Sequence, residues 1–176
     1  MLAMNKLLAQ GAGLSGVLIR RAATVELDWD VRQKSRFAAT DSTGRALAIF
    51  LPRGQAVRGG DVLVGEDGTL VRVIAAPQAV LHITWCRQHG TAFDLMRAAY
   101  HLGNRHVPIE LQPDHLKIEP DHVLADMLRA MHMTVTAAEL PFEPEGGAYG
   151  GHVTNDGHGH GHPHGPHPHH HHGHDH

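Results

Sequence analysis

One cysteine, Cys86, occurs in 176 residues. No disulfide can form within the chain, and such usage fits a reducing compartment. No run approaches the roughly 18 consecutive apolar residues of a membrane-spanning helix. The mildly apolar start, MLAMNKLLAQGAGLSGVLIRR, is interrupted by Gln10, Gly11, Gly13 and Gly16 and carries only Lys6 ahead of its apolar part. It therefore lacks the charged start and unbroken apolar stretch of a secretory signal, and the reading is a soluble, cytoplasmic protein. Charge of one sign is lacking too: 15 Lys+Arg stand against 18 Asp+Glu, so neither nucleic acid nor an anionic membrane is an expected partner. There is no His-Glu-x-x-His, no Ser/His/Asp motif and no phosphate-cradling loop. The glycines between Gly54 and Gly60 lack the Lys-Ser/Thr ending that reaches phosphates. The chain is not expected to be an enzyme.

What is present in excess is histidine. Of 19 histidines, 12 fall between His152 and His176, and seven are spread over the preceding residues. The C-terminal ones are His152, His158, His160, His162, His164, His167, His169, His170, His171, His172, His174 and His176, separated mainly by glycine and proline. Neutral imidazole suits nickel, zinc and copper. With Val153 its single aliphatic residue, residues 152–176 cannot bury enough apolar surface to offset the entropy of ordering, so a disordered, metal-binding tail is expected. A purification tag would be an unbroken run of six or more; the longest run here is four, His169 to His172.

The body reads as α+β. Residues 1–76 contain short strands with turn signals and no convincing helix, which predicts a small β domain. Thr24–Trp29 alternates with Val25 and Leu27 inward; Leu47–Leu51 is a short apolar run; Asp61–Val64 and Thr69–Ile74 flank a hairpin loop, Gly65–Gly68. Residues 77–148 change pattern. Ala79–Trp85 alternates, placing Leu81, Ile83 and Trp85 on one face and Val80, His82 and Thr84 on the other. Thr91-Ala-Phe-Asp94 has capping-box form and starts a helix through Leu102, with Gly103 as its stop. Strands at Val107–Leu111 and His115–Glu119, a helix over Asp121–Met131 and a strand at Thr134–Leu140 complete a β-α-β-β-α-β order, the ferredoxin-like arrangement. RNA-binding domains of that fold need aromatics on the middle strands, and the two hairpin strands have none. Residues 149–176 form the His-rich tail.

Among the body histidines, His101 shares a helical face with Asp94 and Arg97 and is expected to face solvent. His106 follows the helix stop, in register with Pro108 and Glu110 and opposite the Val107, Ile109 and Leu111 face. His122 starts the second helix. Singly, each reads as an ordinary surface histidine. Cys86, at a strand end beside Trp85, could be a soft metal ligand but reads better as a small buried residue.

Three segments in order, Tyr100-His-Leu-Gly-Asn-Arg-His-Val-Pro108, Asp121-His-Val-Leu-Ala-Asp-Met-Leu128 and Leu140-Pro-Phe-Glu-Pro-Glu-Gly-Gly-Ala-Tyr149, resemble the urease accessory protein UreE family. Arg32–Arg36, Leu51–Gly54 and Arg58–Asp61 extend the likeness more loosely. The resemblance implies a homodimer with a partner-binding N-terminal β domain and a ferredoxin-like metal domain. It also implies delivery of Ni2+ to apo-urease alongside the urease accessory GTPase complex. By position it makes His106 the central ligand, meeting its counterpart across the dimer, and His101 and His122 peripheral ligands. Pro120 stands where some relatives have histidine, which shifts weight onto the tail. His82, His89, His115 and His132 match no motif. One imidazole from each of two chains is too few for a tight Ni2+ or Zn2+ site, so the interface site must draw on the tail, a peripheral histidine or water. Zn2+ and Cu2+ suit the same donors. The rival reading is a cytoplasmic nickel or zinc buffer, which the tail fits equally well.

Overall fold

The computed structural model describes residues 1–146, so every ligand expected at His152–His176 lies outside the described residues. Two sheets account for most of the chain, a mixed α+β architecture. The first has six strands, β1 (Leu2–Leu8), β2 (Ala23–Leu27), β3 (Arg36–Thr40), β4 (Ala46–Phe50), β5 (Val62–Gly65) and β6 (Leu70–Ala75), in the order β2-β6-β5-β1-β4-β3. Alternation does what it predicts: Val25 and Leu27 are buried with Leu47, Ile49, Val71 and Val73 in one cluster. The β5–β6 hairpin turns through Gly65–Gly68, where Gly65 N–H donates to the Thr69 carbonyl at 2.8 Å and Gly68 sits at φ 82°, a value glycine adopts without a Cβ clash.

Two features of this half differ from expectation. The apolar N-terminus is β1, a central strand that pairs parallel to β4 and antiparallel to β5 and buries Met4 completely. Two short helices also occur, α1 (Gly16–Arg21) and α2 (Trp29–Arg32). Runs of six and four residues are too short for a 3.6-residue period to show in sequence. What fixes them is capping: Ser15 accepts from Leu18 N–H and Asp28 from Val31 N–H, each satisfying an amide that the first turn leaves unpaired.

The second sheet is built from β7 (Pro77–Trp85), α3 (Ala92–Gly103), β8 (Glu110–Leu111), β9 (Leu116–Ile118), α4 (His122–Ala130) and β10 (Met133–Pro141), ordered β10-β7-β9-β8 with every pair antiparallel. Both helices lay their apolar stripes on one face, where Leu102 and Leu128 join Ile83 and Ile118, all fully buried. Each such side chain contributes about 1.5–3 kcal/mol relative to exposure.

Strands β8 and β9 are shorter than the predicted spans, and the predicted alternation breaks after Ile109. Glu110, expected on the exposed side, is buried, whereas Leu111 is 44% exposed. The cause is the segment from Pro141 to Glu145, which crosses the outer face of the sheet. Glu143 N–H donates to Glu110 at 2.7 Å, Glu145 N–H donates to the Ile109 carbonyl at 2.8 Å, and Lys117 donates to the Pro141 carbonyl. Under this cover Glu110 pairs with Lys117 at 2.9 Å. Burial alone would raise the Glu110 carboxyl, but Lys117 and the Glu143 amide outweigh it and hold its pKa below the ordinary value.

The same segment joins the two sheets. Arg32, fully buried, donates to the carbonyls of Leu27, Val57 and Phe142 and pairs with Glu143 at 2.8 Å. Glu143 also meets Arg58 at 3.3 Å and accepts from Gly59 N–H at 2.8 Å. Trp29 packs edge-on against Phe142, with ring centroids 6.4 Å apart. These contacts give a structural role to the Arg32–Arg36, Arg58–Asp61 and Leu140–Glu145 segments.

Candidate metal centre

His106 is positioned by the end of α3. The helix opens on the expected capping box, with Thr91 N–H donating to the Asp94 carboxylate at 2.8 Å. It runs one residue beyond the expected Leu102. Gly103 remains helical, and the chain tightens afterwards: Arg105 N–H donates to the Leu102 carbonyl at 3.0 Å and His106 N–H to the Gly103 carbonyl at 2.9 Å. The left-handed residue that ends the turn is His106 itself, at φ 57°. A residue with a Cβ costs about 1–2 kcal/mol there. Glycine is the usual occupant of such a helix end. The position holds an exposed imidazole where the backbone would prefer none.

Helix α3 buries Leu95, Ala98 and Leu102 and leaves a second stripe in solvent: Phe93 and Met96 are each 61% exposed and Tyr100 68%. These three residues, spaced for one helical face, run toward the turn that carries His106. His101 follows Tyr100 and is half-buried, not free in solvent as its polar stripe predicts; the Tyr100 ring meets it edge-on at 5.4 Å. His101 shares a shallow depression with Phe93, Met96, Arg97 and Tyr100. His122 lies elsewhere, exposed in the first turn of α4, in a depression with Leu81, Pro120, Asp121, Ala125 and Arg129. Among the described residues no three His, Cys, Asp or Glu side chains converge to hold an ion, so one copy of the chain does not gather His106, His101 and His122.

Two juxtapositions escaped the sequence reading. His82 and His115 stack with ring centroids 4.4 Å apart, tilted by 32°, and His115 Nδ1 lies 2.7 Å from the Asp114 carboxylate. Only the strand register brings them together, since Lys117 of β9 pairs with His82 of β7. Cys86 is half-buried, and its thiol lies 3.8 Å from His89 Nδ1. Hydrogen bonding from the Gln88 amide and then from His89 lowers its pKa, and the residue is not the fully buried one expected; the Cys-x-x-His spacing was the signal available.

Residues 4–76 match the family model for the UreE urease accessory protein N-terminal domain, and residues 78–176 that for its C-terminal domain. The chain belongs to the UreE family. Proteins described as urease accessory protein UreE share high identity with it. That of Paracidovorax citrulli is 79% identical over 154 residues, covering 86% of this chain and 73% of the relative. That of Albidiferax ferrireducens is 76% identical over 154 residues, covering 86% of this chain and 88% of the relative. That of Paraburkholderia xenovorans is 53% identical over 148 residues, covering 84% and 64%. UreE proteins are urease accessory proteins by description, so membership makes this chain an accessory factor. No helix among the described residues is long and apolar enough to cross a membrane.

Proposed function

We propose that this chain serves urease maturation as a nickel metallochaperone: a cytoplasmic homodimer that carries Ni2+ to apo-urease in concert with the urease accessory GTPase complex. The observation that carries the reading is His106, an exposed imidazole held in a left-handed turn at the end of an exposed apolar stripe. A second copy covering that stripe would bring two His106 side chains together. Six such side chains, three from each copy, offer about 9 kcal/mol at about 1.5 kcal/mol each, within the roughly 4–15 kcal/mol that association costs. The stripe's gain is thus of the same size as that cost, and an ion bound between the copies would add to it.

His101 and His122 act as peripheral ligands in this reading, and the histidines from His152 to His176 gather metal for His106. Zn2+ and Cu2+ compete for the same imidazoles. The strand order β10-β7-β9-β8 with β-α-β-β-α-β connection supports a ferredoxin-like metal domain over 77–148. Residues 1–76 form the partner-binding domain, and 149–176 are the metal-gathering tail.

Urease activation under limiting Ni2+ tests the assignment. The His106→Ala variant should impair activation more than removal of residues 152–176 does, while remaining folded. Normal activation by His106→Ala, with loss on tail removal, would make the tail the working carrier and the protein a metal buffer.

A further inference from the structure

We propose that His82 and His115 form a second binding site for a divalent transition-metal ion, on the outer face of the second sheet and separate from His106. The rings are half-buried, one from β7 and one at the entry to β9, and their centroids stand 4.4 Å apart. Two imidazoles bound side by side to one ion, with metal–nitrogen bonds of about 2.1 Å, place their centroids roughly 4.5–5 Å apart. The spacing is therefore close to that of a loaded pair. A small rotation about each Cβ–Cγ bond, a soft torsion in histidine, would aim one nitrogen of each ring at a common point.

A second feature points the same way. His115 Nδ1 is 2.7 Å from Asp114 Oδ1, the carboxylate–imidazole contact that orients metal-bound histidines. With Nδ1–H donating to the carboxylate, Nε2 is left as the lone-pair donor. Two charged groups bear on the pair. Asp114 favours a cation. Lys117, the cross-strand partner of His82, opposes one, but its ammonium is turned to Glu110 and the Pro141 carbonyl. Burial of the His82 ring disfavours its charged form. A neutral imidazole is the form that binds metal. The donor set of two imidazoles, completed by water, suits Ni2+, Zn2+ or Cu2+ and does not suit Mg2+ or Ca2+.

The test uses the full chain and Ni2+. In the unaltered protein, backbone amide resonances of residues 81–83 and 114–117 should broaden as paramagnetic Ni2+ is added to excess. By equilibrium dialysis at saturation, His82→Ala and His115→Ala should each lose the same single ion per chain, and the double variant no more than that. Asp114→Asn should retain the site with affinity weakened about 10–100-fold. His106→Ala should leave the broadening at both segments intact, which separates this site from the delivery reading. Resonances at 81–83 and 114–117 that stay sharp in excess Ni2+ would overturn the proposal, whatever the variants do. Unchanged stoichiometry in variants that keep the native circular dichroism would overturn it equally, reducing the pair to a stacking contact.

Discussion

The two halves of the molecule use their left-handed backbone positions differently. Up to residue 76, seven described residues have positive φ; six are glycines and the seventh is Gln10. From residue 77 to 146 there are two, His106 and His132, and both are histidine. Histidine is distributed just as unevenly: none precedes residue 77, and all seven body histidines follow it. In the first half such turns serve geometry, and glycine supplies it at least strain. The second half accepts strain at two helix ends and gains a projecting imidazole at each. The candidate imidazole ligands of the body thus lie in one half, while the other contributes Arg32 and Arg58 to the seam and fixes where that half sits.

Breaking the seam should produce the largest effect. Arg32→Leu leaves the carbonyls of Leu27, Val57 and Phe142 without this donor and Glu143 without its buried partner. Glu143 keeps Arg58 and the Gly59 amide, so the cost lies in the buried carbonyls left without this donor, together about 3–5 kcal/mol at about 1–3 kcal/mol each. Chemical denaturation should show a loss of that size; a change below about 1 kcal/mol, the scale of a surface pair, would mean that the halves are coupled by packing alone.

Acid should weaken the second half through Glu110. Its pKa in the fold lies below the ordinary 4.5, so its contribution is present above that value and is lost as pH falls through the lower, folded value. The thermal midpoint should drop as pH falls below 4.5, and Glu110→Gln should flatten that part of the profile while lowering stability near neutrality. An unchanged acid limb in the variant would assign acid lability to other carboxylates.

Glycine at the two left-handed histidines should have the smallest effect on stability and the clearest sign. His106→Gly and His132→Gly should each match or exceed the native stability by up to about 1 kcal/mol, because the strain disappears, offset by greater freedom of the unfolded chain. His106→Ala keeps the Cβ and should not gain. Nickel affinity should fall in both His106 variants and hold in His132→Gly, as measured by calorimetry beside thermal melts. A His132→Gly protein that lost nickel would extend the functional surface to the end of α4.

Legibility followed the range of the interactions. The α3 capping box, the Gly65–Gly68 hairpin and the inward faces of β2 and β7 are local patterns, and all could be read from neighbouring residues. Helices α1 and α2 hang on single caps and have too few residues for periodicity. Glu110 looked exposed because a lone carboxylate on an alternating strand usually is; its burial depends on Pro141 to Glu145, some 30 residues later in the chain. Gly103 looked like a stop for the same kind of reason: glycine commonly ends helices, but the turn placed its left-handed residue three positions on, at His106. That His106 would be exposed was legible from its position past the helix. That the backbone is strained there was not, nor was the His82–His115 contact, which only the β7–β9 register creates.

Calorimetric titration of the full chain with Ni2+, before and after His106→Ala, bears most directly on the claim that a dimer presents its transferable ion at this residue. The tightest class of sites should hold one ion for each pair of chains and disappear in the variant, while weaker classes persist and the variant sediments as a dimer. A tightest class that survives His106→Ala at unchanged affinity would contradict that claim.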